Sequence, residues 1–309
     1  MKVNLGLFCL LMVVASGSLA FTFSLRPLVA KATYVEGDIT QDTTWTLIDS
    51  PFVLSKNVTI LDGSTLTVEP GVEVRFGGWY SLVVQGRLIA VGEENNTITF
   101  TSNREEPNSG DWPAIEFNRA ESSIMEYCIV EYGENGITIS DSAIDLRYNE
   151  VAYSRESGIR IAGDNQVTIQ NNTLDSNKIG ILLIGAQVSG VSITDNLIMS
   201  NTQSGIQLGA DSYNDLILLN NILSANENGF HVTGLASTHI TQNSISYNTI
   251  GILYAPDAQM QAFHTDQVAY YNDIYGNIYG IDVSDSFNAK VNAEYNYWGD
   301  ESGPYHFSL

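Results

Sequence analysis

Three arginines, Arg147, Arg155 and Arg160, fall within fourteen positions of a chain that holds only 13 Lys and Arg in 309 residues. Asp141, Asp145 and Asp164 are interleaved with them. A guanidinium beside a carboxylate stabilises charge and shifts proton affinity, and neighbouring carboxylates can hold a divalent cation. Arg147, Arg160 and Asp145 are therefore the candidates for proton-transfer chemistry, and Asp141 and Asp164 those for a metal. The competing reading is a set of solvated or weakly paired surface charges. His231 and His239 are the nearest approach to an imidazole pair. Cys128 has no histidine closer in sequence than His231, so a thiol nucleophile lacks an adjacent base. A second kind of chemistry is non-covalent. Nine of the sixteen tyrosines lie in the last 63 residues, and Tyr270, Tyr275 and Tyr297 fall in outward-looking registers. Flat aromatic faces stack on sugar rings while their polar edges stay wet. The alternative is a cap whose rings cover the last hydrophobic layer.

These residues are set by a repeat. Seven phrases begin at Gly136, Gly158, Gly180, Gly205, Gly229, Gly251 and Gly280 and mostly read Gly-Ile-x-Ile or a close variant. Successive glycines are 22, 22, 25, 24, 22 and 29 residues apart, and a period in that range denotes a solenoid. A second phrase, Asn-x-aliphatic-x-x-Asn, runs in step, as in Asn172-Leu174-Asn177 and Asn196-Ile198-Asn201. A short alternating strand such as Val167 to Gln170 precedes each copy. Period-two alternation buries one set of side chains and exposes the other. The spacing predicts an all-β, right-handed parallel β-helix of about 22 residues and three short strands per coil. Interior columns then read Ile129, Val151, Leu174, Ile198, Leu223, Ile245, Ile274, Trp298 and Leu146, Ile169, Ile193, Leu218, Ile240. The asparagines from Asn149 to Asn296 stack at a turn, as a structural ladder.

The outward columns test for hydrolytic chemistry. They read Thr138, Arg160, Leu182, Gln207, His231, Leu253, Asp282 on one strand and Asp145, Thr168, Ser192, Ile217, His239 on the next. A glycosidase needs two carboxylates, about 5–5.5 Å or 6.5–9.5 Å apart according to mechanism. Neither column stacks such a pair.

Residues 1–32 read as a targeting segment: Lys2, an apolar run from Leu5 to Ala15, then small residues that permit cleavage after Ala20 or Ala32. An uncleaved N-terminal membrane anchor is the other reading. Residues 33–120 divide into a cap and irregular coils, and 121–309 into regular repeats. The net charge of −22 argues against nucleic acid as a partner and permits neutral glycans or divalent cations. Sequons at Asn57, Asn95 and Asn171 suit an exported surface protein.

The closing run Asn296-Tyr297-Trp298-Gly299-Asp300-Glu301-Ser302-Gly303-Pro304-Tyr305, together with the Gly-Ile-x-Ile repeats, resembles exported archaeal and bacterial β-helix proteins of the pectin-lyase-like superfamily. The resemblance covers nearly everything after residue 33. It implies a secreted or cell-surface location and a polysaccharide or cell-envelope glycan as partner. It leaves three functions open: a non-catalytic glycan binder, a polysaccharide lyase or glycoside hydrolase, and a structural stalk or adhesin. In the lyase case it implies an arginine base, and Ca2+ as the cation bridging acidic ligands to the substrate.

Overall fold

The computed structural model describes residues 31–300 and 303, apart from 215, 235–236, 256–265 and 285–289. Residues 1–30, which hold most of the segment 1–32 expected to be a targeting signal or anchor, and the closing segment beyond Gly303 lie outside the described residues. What is described is a parallel β-helix, entirely β apart from one 3-10 turn, Leu47–Asp49. Every strand pairing between coils is parallel, and each strand pairs with its equivalent one coil later. Among the described residues no helix is long and apolar enough to cross a membrane.

Each coil runs through three sheets. Sheet 1 holds the Gly-Ile-x-Ile strands, such as Asn135–Ser140 and Ser204–Ala210. Sheet 2 holds strands such as Ala143–Arg147 and Ile217–Leu219. Sheet 3 has eleven strands, from Thr33–Val35 to Asp273–Tyr275. Two strands, Ser157–Gln170 and Ile179–Thr194, run unbroken from sheet 1 into sheet 2. The coils average about 24 residues, rather than the 22 read from the commonest glycine interval. Before Ile137 the excess lies in the ten residues from Ala90 to Phe100 and the fifteen from Phe100 to Ile115; from Ile137 onward it lies between sheets 1 and 2. The inward residues Ile139 and Leu146 are seven apart there, Leu183 and Ile193 ten, and Tyr254 and Ala269 fifteen.

The core is a set of buried columns. Phe52, Val74, Phe100, Val130, Val151 and Leu174 follow one another up sheet 3, each 5% exposed or less. Each such side chain contributes on the order of 1.5–3 kcal/mol by leaving water. Val130, not Ile129, occupies the interior column, because Ile129 pairs with the exposed Glu150. The register is one residue off the sequence reading there: Cys128, Ile129 and Val130 are all apolar, so no alternation marks the inward face. Cys128 accordingly points inward and is 1% exposed. The sheet 2 column from Leu146 to Leu218, and all seven outward residues read for the Gly-Ile-x-Ile strands, lie in register as expected.

The asparagines form two ladders. In the first, the backbone N–H of Asn149 donates to Asn172 Oδ1 at 2.9 Å, that of Asn172 to Asn196 Oδ1 at 2.9 Å, and that of Asn196 to Asn221 Oδ1 at 3.2 Å. In the second, Ser154, Asn177, Asn201, Asn226 and Asn248 each donate in the same way to the next asparagine. Each amide satisfies backbone groups that a tight corner would otherwise leave buried and unpaired.

Candidate functional site

The corner between sheets 2 and 3 is the most regular in the molecule. From Met125 onward five residues separate the inward positions at each coil, as in Leu146 to Val151, Ile169 to Leu174 and Ile193 to Ile198, whereas Ala90 and Phe100, in the same columns one coil earlier, are ten apart. One residue in each makes the bend with positive φ: Tyr127 (50°), Tyr148 (55°), Asn171 (56°), Asp195 (59°), Asn220 (58°), Gln242 (59°), Tyr271 (58°) and Tyr295 (60°). A non-glycine residue in this conformation costs on the order of 1–2 kcal/mol. The asparagine ladder immediately after it fixes the backbone and offsets that cost. The side chains of the eight residues stand in file as a ridge along the helix axis.

Aromatic rings occupy both ends of the ridge. Tyr127 and Tyr148 stack with centroids 5.0 Å apart and planes at 8°. Tyr271 and Tyr295 stack at 5.3 Å and 18°, with Tyr270 edge-on to Tyr271 at 5.0 Å. Tyr271 is 56% and Tyr295 71% exposed. The corner between sheets 3 and 1 carries a further stack, Tyr132 on Tyr153 at 5.3 Å. None of these stacks is marked in the sequence, since partners lie 21 to 24 residues apart and nothing local signals a tyrosine at positive φ. The coil period itself is the signal that finds them.

The tyrosines named from the sequence fall nearby. Tyr297 is half exposed, while Tyr270 and Tyr275 are partly buried, Tyr275 meeting Tyr247 edge-on at 5.7 Å. Tyr271 and Tyr295, which the sequence reading left among the remaining aromatics, present the larger exposed surface. Trp298 packs against the core at the last coil.

The charged candidates divide between faces. Asp145 and Arg147 lie on the outer face of sheet 2 and pair at 3.3 Å. Asp145 also borders a shallow hollow of about 420 Å3 with Thr168, Ser192 and Ile217. Arg160 lies on sheet 1, between Thr138 and Leu182. Asp141 and Asp164 sit at the corner between these sheets. The Asp164 N–H donates to Asp141 Oδ1 at 3.0 Å, and the Ser189 hydroxyl donates to Asp164 Oδ1. Arg155 is held by Glu134 at 2.6 Å. The structure thus brings Arg147 to Asp145 and Asp164 to Asp141, and places Arg160 on a different sheet from Asp145.

The field around the N-terminal end of the ridge is acidic. Burial raises the Glu131 carboxyl above its ordinary range and Glu150 and Glu73 raise it further, against the Thr101 hydroxyl that donates to it at 2.9 Å. Tyr127 is likewise raised, by desolvation and then by Tyr148, Glu94 and Glu126.

A family model described as periplasmic copper-binding protein (NosD) matches residues 93–306. No curated protein matches. Among solved structures, a point mutant of the periplasmic alginate epimerase AlgG has a TM-score of 0.51 at 16% identity, over 84% of this chain and 74% of that one. The unmutated epimerase has a TM-score of 0.48 at 15% identity with the same coverage. At such identity the likeness is one of fold.

The family description raises the question of copper, whose usual protein ligands are His, Cys and Met. Cys128 is sealed in the core, its thiol pKa pushed up by burial and its Sγ set 3.4 Å from Ala90 O. Met125 is fully buried. His231 lies on sheet 1 and His239 on a strand continuing sheet 2. Among the described residues no three His, Cys, Asp or Glu converge as metal ligands. The donor set described here does not fit a copper centre.

Proposed function

The chain belongs to the NosD family of periplasmic β-helix proteins, and from that premise we propose that it is a non-catalytic polysaccharide-binding protein of the extracytoplasmic space. The observation that carries this reading is the exposed, already stacked pair Tyr271 and Tyr295, with Tyr270 and Tyr297 beside it. A cap would bury its rings, whereas these two leave more than half their surface in water. Tyrosine held rigidly by a corner loses little entropy on binding, and its ring and hydroxyl suit the two sides of a sugar. The charged candidates support binding over catalysis: Arg147 is engaged by Asp145, and Asp141 and Asp164 already accept hydrogen bonds. The experiment is a glycan array with the purified protein, with and without Ca2+, scored for retention and for cleavage. Retention without cleavage is expected. It should be lost in Tyr271→Ala/Tyr295→Ala and reduced in Tyr270→Ala/Tyr275→Ala/Tyr297→Ala, with melting temperatures unchanged. Cleavage of any glycan, especially one that needs Ca2+ and fails in Arg160→Ala, overturns the non-catalytic reading. Neither retention nor cleavage would leave a structural stalk.

A further inference from the structure

The ridge between sheets 2 and 3 extends well beyond the C-terminal tyrosines. Between Tyr148 and Tyr271 the same bend position carries Asn171, Asp195, Asn220 and Gln242, all exposed. The side-chain amides of Asn171, Asn220 and Gln242 make no hydrogen bond within the described residues; Asp195 accepts one from Gln170 at 3.1 Å. A polar group therefore stands once per coil, amides that donate and accept at three positions and the accepting Asp195 carboxylate at the fourth, about 4.8 Å apart, the spacing of adjacent strands. That interval is close to the length of one sugar in an extended chain. Five steps, about 24 Å, separate the two tyrosine ends.

Hollows lie where each tyrosine stack gives way to the amides. One of about 310 Å3 is bordered by Tyr148, Asn171, Thr173 and Glu150. The other, about 290 Å3, is bordered by Asn220, Gln242, Ile222 and Tyr271. Tyr148 is 46% exposed, and the coil after it puts Asn171 at the bend, so no ring covers its second face. Along the flank of the ridge, the first outward column of sheet 3 places Leu197 and Ile222, both partly exposed, for the apolar faces of sugar rings. No Lys or Arg borders either hollow, whereas Glu94, Glu150 and Asp273 do. A uronate chain would meet repulsion there.

We propose that this ridge is a track for an extended, uncharged polysaccharide lying parallel to the helix axis, one sugar to a coil, with Tyr148 and Tyr271 as its two stacking ends. The inference rests on the glycan-binding reading above and specifies the ligand's charge, direction and length. Over the coils that carry these amides the five-residue corner keeps them in step with a repeating ligand, while most of the variation in coil length lies between sheets 1 and 2.

The test is calorimetric titration of the intact protein with cellobiose, cellohexaose and a hexameric alginate oligosaccharide. Cellohexaose should bind at least about tenfold more tightly than cellobiose, a difference of about 1.4 kcal/mol, and the alginate hexamer should bind more weakly than cellohexaose. Tyr148→Ala should remove most of the length advantage without lowering the melting temperature, and Tyr148→Phe, which keeps the ring, should restore it. Gln242→Ala, a surface change, should weaken cellohexaose but not cellobiose. Equal affinity for dimer and hexamer, indifference to Tyr148→Ala, or preference for the alginate hexamer overturns the track while leaving glycan binding standing. Silence towards both cello-oligosaccharides and on the wider array overturns both.

Discussion

Asn196→Ala removes one rung of the first asparagine ladder, and its effect follows from the bonds of that single amide. Asn196 Oδ1 accepts the Asn172 N–H at 2.9 Å, and Asn196 Nδ2 donates to Ile169 O at 2.8 Å, Thr194 O at 2.9 Å and Asn221 Oδ1 at 3.0 Å. The site is 1% exposed, so water cannot replace these partners without opening the corner. The Asn172 N–H loses its acceptor and Ile169 O a donor. At about 1–3 kcal/mol for each buried group left unpaired, the change should cost about 2–6 kcal/mol. Asn196→Asp should also fail, for a different reason. A carboxylate keeps an acceptor for Asn172 but sets an anion against Asn221 Oδ1. Burial would raise its pKa in the folded state, so its stability is present at low pH and lost as pH rises. Urea unfolding followed by fluorescence and circular dichroism checks the magnitude, using both probes because repeat arrays need not unfold in two states. Hydrogen exchange should show the loss of protection centred on the coils holding Asn172 and Asn221. Thr194→Ala, on the outward face two residues away, is the control. If Asn196→Ala matches that control within about 0.5 kcal/mol, the ladder is ornamental and the account of the corner is wrong.

Other outcomes follow from the same geometry. In Gly205→Ala the new Cβ would lie 2.8 Å from Gly229 O and 3.1 Å from Asn226 Nδ2, both fixed by neighbouring coils. A loss of about 1–3 kcal/mol is expected by chemical denaturation, whereas Gly37→Ala, with nothing within 4 Å, should be neutral. Cys128 should resist iodoacetamide until the chain unfolds, as followed by mass spectrometry, because it is buried and its thiol is held protonated. With its folded-state pKa raised above the ordinary 9.0, the thiol's contribution to stability is present below pH 9 and declines as pH rises past that value. Cys128→Ala should remove one proton's share of that alkaline decline, about 1.4 kcal/mol per pH unit.

Much of the scaffold was legible in the sequence because a solenoid writes its contacts at a fixed interval. The outward file from Thr138 to Asp282 and the inward file from Leu146 to Leu218 both follow from counting. Counting fails where its marker disappears, as at Cys128-Ile129-Val130, whose unbroken apolar run hides which residue faces in. The candidate site was less legible. Arg160 and Asp145 are close in sequence, yet between them the chain leaves sheet 2, crosses sheet 3 at Glu150–Ala152 and enters sheet 1 at Ser157, so neighbours along the chain stand on different sheets. Tyr270, Tyr275 and Tyr297 were singled out by alternation within strands. The exposed rings of Tyr271 and Tyr295 belong instead to bends, where alternation does not apply and only positive φ and coil spacing locate them.

The unequal corners have a consequence for how such a chain can change over generations. From Met125 onward the five-residue interval between sheets 2 and 3 is a shared gauge, and one residue added within a coil would break the match of its corner to the ladder above and below. Between sheets 1 and 2 the interval runs from six to fifteen, and the strands on either side still meet their partners. Lineages can therefore lengthen, shorten or exchange loops on that edge one residue at a time, while elsewhere they gain or lose whole coils. Among the regular coils novelty should gather along one edge, and the corner of the asparagine ladder should keep its measure.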